Sequence, residues 1–181
     1  MNSSQKKYFK FTAGLVICLL IRLIPFRAPN IEPILATQMP FAKAYGAFLG
    51  FLFGILSIVF YDLLTHTLGS CTLVTAPAYG ALGLFSALYF KNRRANTSNF
   101  IFLAIVGTLF FDAMTGLLVG PLFFHQSFSS ALIGQIPFTI LHLLGNIIFA
   151  VLLSPAIYYF VAENKNLKTE SIIRTLRPKI I

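Results

Sequence analysis

The chain has 181 residues, of which 57 % are hydrophobic and only 10 % charged, and its mean hydropathy is +0.81. About a quarter of the residues in a soluble domain are charged, so this composition excludes a water-soluble globular fold and makes lipid the solvent for most side chains. A net charge of +9 would suggest nucleic acid in a soluble protein, but the placement of the cations gives it another meaning.

Six apolar stretches follow one another, and they predict helices at about 8–25, 33–43, 45–64, 76–90, 99–118 and 130–161. This is an all-α bundle of six transmembrane helices, a single integral domain over 1–181 with a tail at 163–181. At about 20 residues per span, no room is left for a soluble domain. Lys6, Lys7 and Lys10 precede the first run, and Lys43 lies between the second and third. Lys91, Arg93 and Arg94 separate the fourth from the fifth, and Lys165, Lys168, Arg174, Arg177 and Lys179 follow the sixth. Of the fourteen cations only Arg22 and Arg27 remain. With six crossings and both termini cytoplasmic, every other cation falls on the cytoplasmic side, as the positive-inside rule requires. The expectation is therefore a multi-pass protein of the cell membrane. The second run is too short to span about 30 Å as straight helix. Merging it with the third leaves five crossings, but then the Lys91–Arg94 cluster and the carboxyl tail lie outside, so charge favours six with a short or tilted second helix.

The first run, behind three lysines, also resembles a signal peptide. Arg22, Pro25 and Arg27 follow it instead of a small-x-small cleavage site, so it is expected to be retained. Cys18 and Cys71 differ in depth and lack metal-ligand spacing. The outer connections are expected at 26–32, 65–75 and 119–129. Pro77 and Pro137 are placed near helix starts, where a missing amide donor costs little, and Pro155 should bend the last helix or mark its exit from the membrane.

Rare polar residues inside apolar helices are the candidates for function. An aspartate in or near the hydrocarbon costs about 2.5–3.5 kcal/mol on insertion scales and usually faces a cavity or a partner. Ile58–Thr65 (IVFYDLLT) lies over Thr108–Thr115 (TLFFDAMT) as a faint repeat, which puts Asp62 and Asp112 at one depth with Thr65 and Thr115 three residues on. Two such carboxylates suit a ligand with hydrogen-bond donors or positive charge; Asp62 also fits an interfacial helix end. On the last helix Gln135, Thr139, His142 and Asn146 recur at intervals of four, three and four, one face that should point into the bundle. That face reads either as a ligand surface beneath an outer mouth holding Asp112 and His125 or as interhelical hydrogen bonding. Arg27, Asn30 and Glu32, in a segment fixed by two prolines, form a lid or a surface loop in which Arg27 and Glu32 pair weakly. His66 lies in the next outer loop with Gly69-Ser-Cys-Thr72. Ala42, Gly46, Gly50 and Gly54 read as a small-residue ladder along the third helix, for packing.

No nucleotide loop, zinc motif, nucleophile elbow or redox cysteine pair is present, and no enzymatic activity or resident cofactor is expected. An intramembrane aspartyl protease is a weak alternative, because Asp112 follows Leu109, Phe110 and Phe111 where that family has Gly-x-Gly. A self-sufficient small transporter or channel that oligomerises through the glycine ladder is the stronger one.

With RAPNIEP at 27–33, FYDLLTHTLGSCTLVTAPAYGALG at 60–83 and FTILHLLGNIIFAVLLSP at 138–155, the chain resembles a substrate-binding S component of the energy-coupling factor transporters, over almost its whole length. The resemblance implies capture of a vitamin or related micronutrient from outside, in a pocket built by the outer halves of the helices and closed by outer loops. It also implies a separate transmembrane T component and two ABC ATPase subunits, which hydrolyse the ATP, while the S component topples in the bilayer to release its cargo. S components often carry an Ala-xxx-Ala pair on the first helix for docking to the T component. Here Ala13 is followed four residues on by Ile17, which leaves the Ala42–Gly54 ladder as the candidate docking face.

Overall fold

The computed structural model describes residues 3–26 and 30–163. Among them there are six α-helices and no strand: α1 (Ser3–Arg22), α2 (Ile34–Tyr45), α3 (Ala47–Leu64), α4 (Ser70–Phe90), α5 (Thr97–Phe124) and α6 (Phe128–Tyr158), with a π-helical turn at Tyr159–Glu163. Four of the helices, α3 to α6, are long and apolar enough to cross a membrane. The predicted tail at 163–181 lies outside the described residues except for Glu163 itself.

The short helix α2 is the hub. Nine consecutive residues, Ile34–Ala42, are buried, so the helix has no lipid-facing side and is enclosed by the other five. A helix buried on every face belongs in a protein interior, and α2 pairs most of its few polar groups there, Gln38 Oε1 being the buried side-chain atom of α2 left without a partner. Pro40 has no amide hydrogen, which leaves the Ala36 carbonyl without its intrahelical donor; the Ser154 hydroxyl of α6 donates to that oxygen at 2.7 Å. Gln38 Nε2 donates to Gly50 O at 2.8 Å and Tyr79 O at 2.7 Å, tying α2 to α3 and α4 together. Around it, Phe41 and Phe53 stack at 5.1 Å and Phe11 meets both edge-on at 5.9 and 5.6 Å.

The glycine ladder is corrected by this geometry. Ala42 belongs to α2, and Gly46, with φ of +90°, is the single residue on which the chain reverses between α2 and α3. A side chain would strain that turn. Gly50 then lies against Ala42 of α2 and the Gly83 carbonyl of α4, and Gly54 against the Tyr79 carbonyl. The ladder thus folds round a hairpin and is consumed within the chain. It offers no free flat face for a T component or for a second copy.

Helix boundaries also differ from the sequence reading. Helix α4 begins at Ser70, not 76, because Thr72 caps it by accepting from Gly69 N at 3.1 Å. Pro77 is therefore the eighth residue of α4 and Pro137 the tenth of α6, well inside rather than near the starts. Helix α5 runs on to Phe124, so the connections shrink to 65–69 and 125–127. Side chains of Asn96 and Ser127 cap α5 and α6 by accepting from Asn99 N and Ser130 N.

The helices alternate in direction. At one end Lys43 Nζ caps α4 on Phe90 O at 2.6 Å and reaches Arg93 O at 3.1 Å, while Lys10 Nζ donates to Val161 O at 3.2 Å. At the other end lie the α1–α2 and α3–α4 connections. The basic residues of the described chain other than Arg22 gather at the first end, and the cavity described next opens at the second.

Candidate functional site

A cavity of about 420 Å³ lies between α1, α3, α4, α5 and α6 at the end opposite the lysines. Four helices line it with residues one turn apart: Ile58 and Asp62 on α3, Cys71, Thr75 and Tyr79 on α4, Phe111 and Thr115 on α5, Phe138 and His142 on α6. Residues at i and i+4 share a helix face, so each helix turns one stripe to a common space. Arg22 closes the side, and Asn30, Glu32 and Thr67 come from the connections. The rim residues Thr67 and Cys71 are exposed.

The best-defined element is a buried pair on the α5–α6 seam. Asp112 and His142 are 2 % and 3 % exposed, and Asp112 Oδ1 lies 2.7 Å from His142 Nδ1. A carboxylate only accepts, so Nδ1 carries the hydrogen in this bond. The rings of Phe111 and Phe138 meet the imidazole edge-on at 5.6 and 5.8 Å and hold it upright. His142 Nε2 and Asp112 Oδ2 are both buried without a hydrogen-bond partner. One rung further from the cavity mouth, Asn146 Nδ2 donates to Thr108 Oγ1 at 2.8 Å, leaving Asn146 Oδ1 unpaired.

Across the cavity, Arg22 is 5 % exposed. Its Nη1 donates to Ser57 O at 2.6 Å and its Nη2 to Glu32 Oε1 at 3.3 Å, and the guanidinium sits 3.8 Å above the Tyr61 ring. Only its Nε–H lacks a partner. Asp62 is half-buried and accepts from Thr72 Oγ1 at 2.5 Å, so Thr72 both caps α4 and orients the carboxylate.

The structure sorts the sequence candidates. Asn30, Glu32, Asp62, Thr115 and His142 line the cavity, and Asp112 stands behind His142. Arg27 lies outside the described residues, and Glu32 pairs with Arg22. Thr65 and Thr115 donate their hydroxyl hydrogens to the Tyr61 and Phe111 carbonyls, so neither offers a donor to a ligand. His66 and His125 are exposed, with left-handed φ of 57° and 52° at the ends of α3 and α5; they terminate helices and do not line the cavity. The polar stripe of α6 faces α5 more than the lumen. Gln135, bonded to Thr139 at 3.3 Å, packs over Gly116, and Asn146 is tied to Thr108. Of the four only His142 reaches the cavity.

Arg22, Tyr79, Thr72, Phe111 and Phe138 were not among the candidates. The repeat Cys71-Thr75-Tyr79 at intervals of four was the available signal, hidden because α4 was begun at 76. Searches against family models, characterised proteins and solved structures find no match to this chain.

Proposed function

We propose that the chain is the membrane-embedded substrate-binding subunit of an uptake system of the energy-coupling factor type, capturing a vitamin or related micronutrient. In this reading it crosses the cell membrane six times with both termini cytoplasmic, and it works with a T component and two ABC ATPase subunits. The observation that carries the proposal is the cavity itself: a pocket of about 420 Å³, within the roughly 300–1,000 Å³ of small-molecule sites, walled by aromatic rings and furnished with a few fixed polar groups. It opens at the end away from the lysines, which is the outer face under the positive-inside rule.

The enclosure of α2 supports six crossings. Its 12 residues rise only about 18 Å, too little for lipid, but a helix walled in by protein need not match the hydrocarbon thickness. The 20 residues of α1 rise about 30 Å. For the protease alternative, two carboxylates would share one proton; here Asp62 is bonded to Thr72 and Asp112 to His142. The channel alternative loses its oligomerisation face, since Gly50 and Gly54 are packed against α4.

Purification in mild detergent followed by mass spectrometry of released small molecules tests the proposal. A stoichiometric compound of vitamin size is expected, with no flux through the protein alone in liposomes. Unaided flux, with nothing bound, would overturn it in favour of a self-sufficient transporter.

A further inference from the structure

We infer that the ligand of this cavity is an organic cation carrying N–H donors on a flat ring, a charge class that the reading as a binding subunit, on which this inference rests, leaves open. Glu32 and Asp62 line the cavity and Asp112 stands behind its His142 wall, against Arg22, the one Lys or Arg among the described residues that line it. Arg22 is already committed to Ser57 O, Glu32 and the Tyr61 ring. Asp62 has no cationic partner among the described residues; its hydrogen bond comes from the neutral Thr72 hydroxyl.

Asp112 adds an unpaired acceptor to the charge of Asp62. Among the described residues, the buried groups without a partner at this site include Asp112 Oδ2, a carboxylate oxygen that accepts, beside the donor Arg22 Nε and the Ser57 hydroxyl. Buried acceptors left unmade are costly and are satisfied by bringing in hydrogen. Tyr79, Phe111 and Phe138 line the cavity and supply aromatic surface for a ring. An anion would meet the carboxylate of Asp62 with no uncommitted Lys or Arg among the described lining residues to offset it.

A charge series of one shape tests this on the full chain in detergent at neutral pH: benzamidine, benzamide and benzoate, cationic, neutral and anionic. Benzamidine is expected to bind at least about tenfold more tightly than benzamide, with benzoate weakest, and Asp62→Asn, which keeps an acceptor for Thr72, should abolish the preference. Equal binding of benzamide, stronger binding of benzoate, no binding of benzamidine at millimolar concentration, or an undiminished preference in Asp62→Asn overturns the inference. The wild-type series decides even if that variant does not fold. A neutral or anionic compound co-purifying with the protein sinks the charge assignment while leaving the binding-subunit reading intact; unaided flux sinks that reading instead.

Discussion

Replacing His142 by alanine is expected to destabilise the protein by about 3–5 kcal/mol, the cost of leaving a buried carboxylate without its partner. Asp112 is 2 % exposed and its hydrogen bond is to His142, so truncation strands a charge in a low-dielectric seam. The size of the effect separates this pair from the rest of the α5–α6 stripe, where a neutral interhelical hydrogen bond such as Asn146 to Thr108 is worth only about 0.6 kcal/mol. Asp112→Asn keeps an acceptor for Nδ1–H and should cost far less stability. Both variants should bind the co-purifying compound at least about tenfold more weakly, His142→Ala because the group lining the cavity is gone and Asp112→Asn because the ring loses its charged anchor. The double variant Asp112→Leu with His142→Leu should regain much of the lost stability, because no unpaired charge remains. Thermal unfolding in detergent reads the stabilities, and a double variant no better than His142→Ala would show that the loss came from packing.

The second large effect is expected at Gly83. A Cβ there would run into the backbone of Gly50 and approach Gln38 Nε2 at 2.5 Å, so Gly83→Ala forces α3 and α4 apart and disturbs the Gln38 bridge. Overpacking of this kind costs about 1–3 kcal/mol, occasionally more, and backbone atoms cannot step aside as a flexible side chain can. Helix α4 carries Cys71, Thr75 and Tyr79, so its displacement should also weaken ligand retention. Gly134→Ala is the control: nothing lies within 4 Å of its Cβ position, and a helical Gly→Ala change there should be neutral or mildly stabilising. Equal melting temperatures for the two variants would contradict the close contact of α3 with α4.

The helical class and the apolar runs were legible because long hydrophobic segments and sparse charge leave few solutions. The depth of Asp62 and the inward setting of Asp112 and His142 were legible too, since an ionisable group in an apolar helix needs a partner. What the sequence hid was mostly partnership. Nothing in the spacing of Ala42, Gly46, Gly50 and Gly54 tells that the chain reverses at Gly46, because a small-residue period looks the same in one helix or in two folded together. The start of α4 was misplaced by six residues because Pro77 suggested a first turn, whereas the cap that decides it, Thr72 on Gly69 N, depends on a single hydroxyl. Arg22 stood outside the topological pattern of the other cations with no partner legible in the sequence, and only the fold brings Ser57, Tyr61 and Glu32 around it. His66 and His125 drew notice as ionisable residues and proved to be left-handed helix ends.

The chain's own thiols allow a direct test. Cys18 is buried in α1 and Cys71 is exposed on the cavity rim, so a membrane-impermeant maleimide added to intact cells has one accessible target. A cavity that faces the exterior predicts modification of Cys71 without permeabilisation. Modification only after the membrane is breached would place the mouth in the cytoplasm and contradict capture from outside.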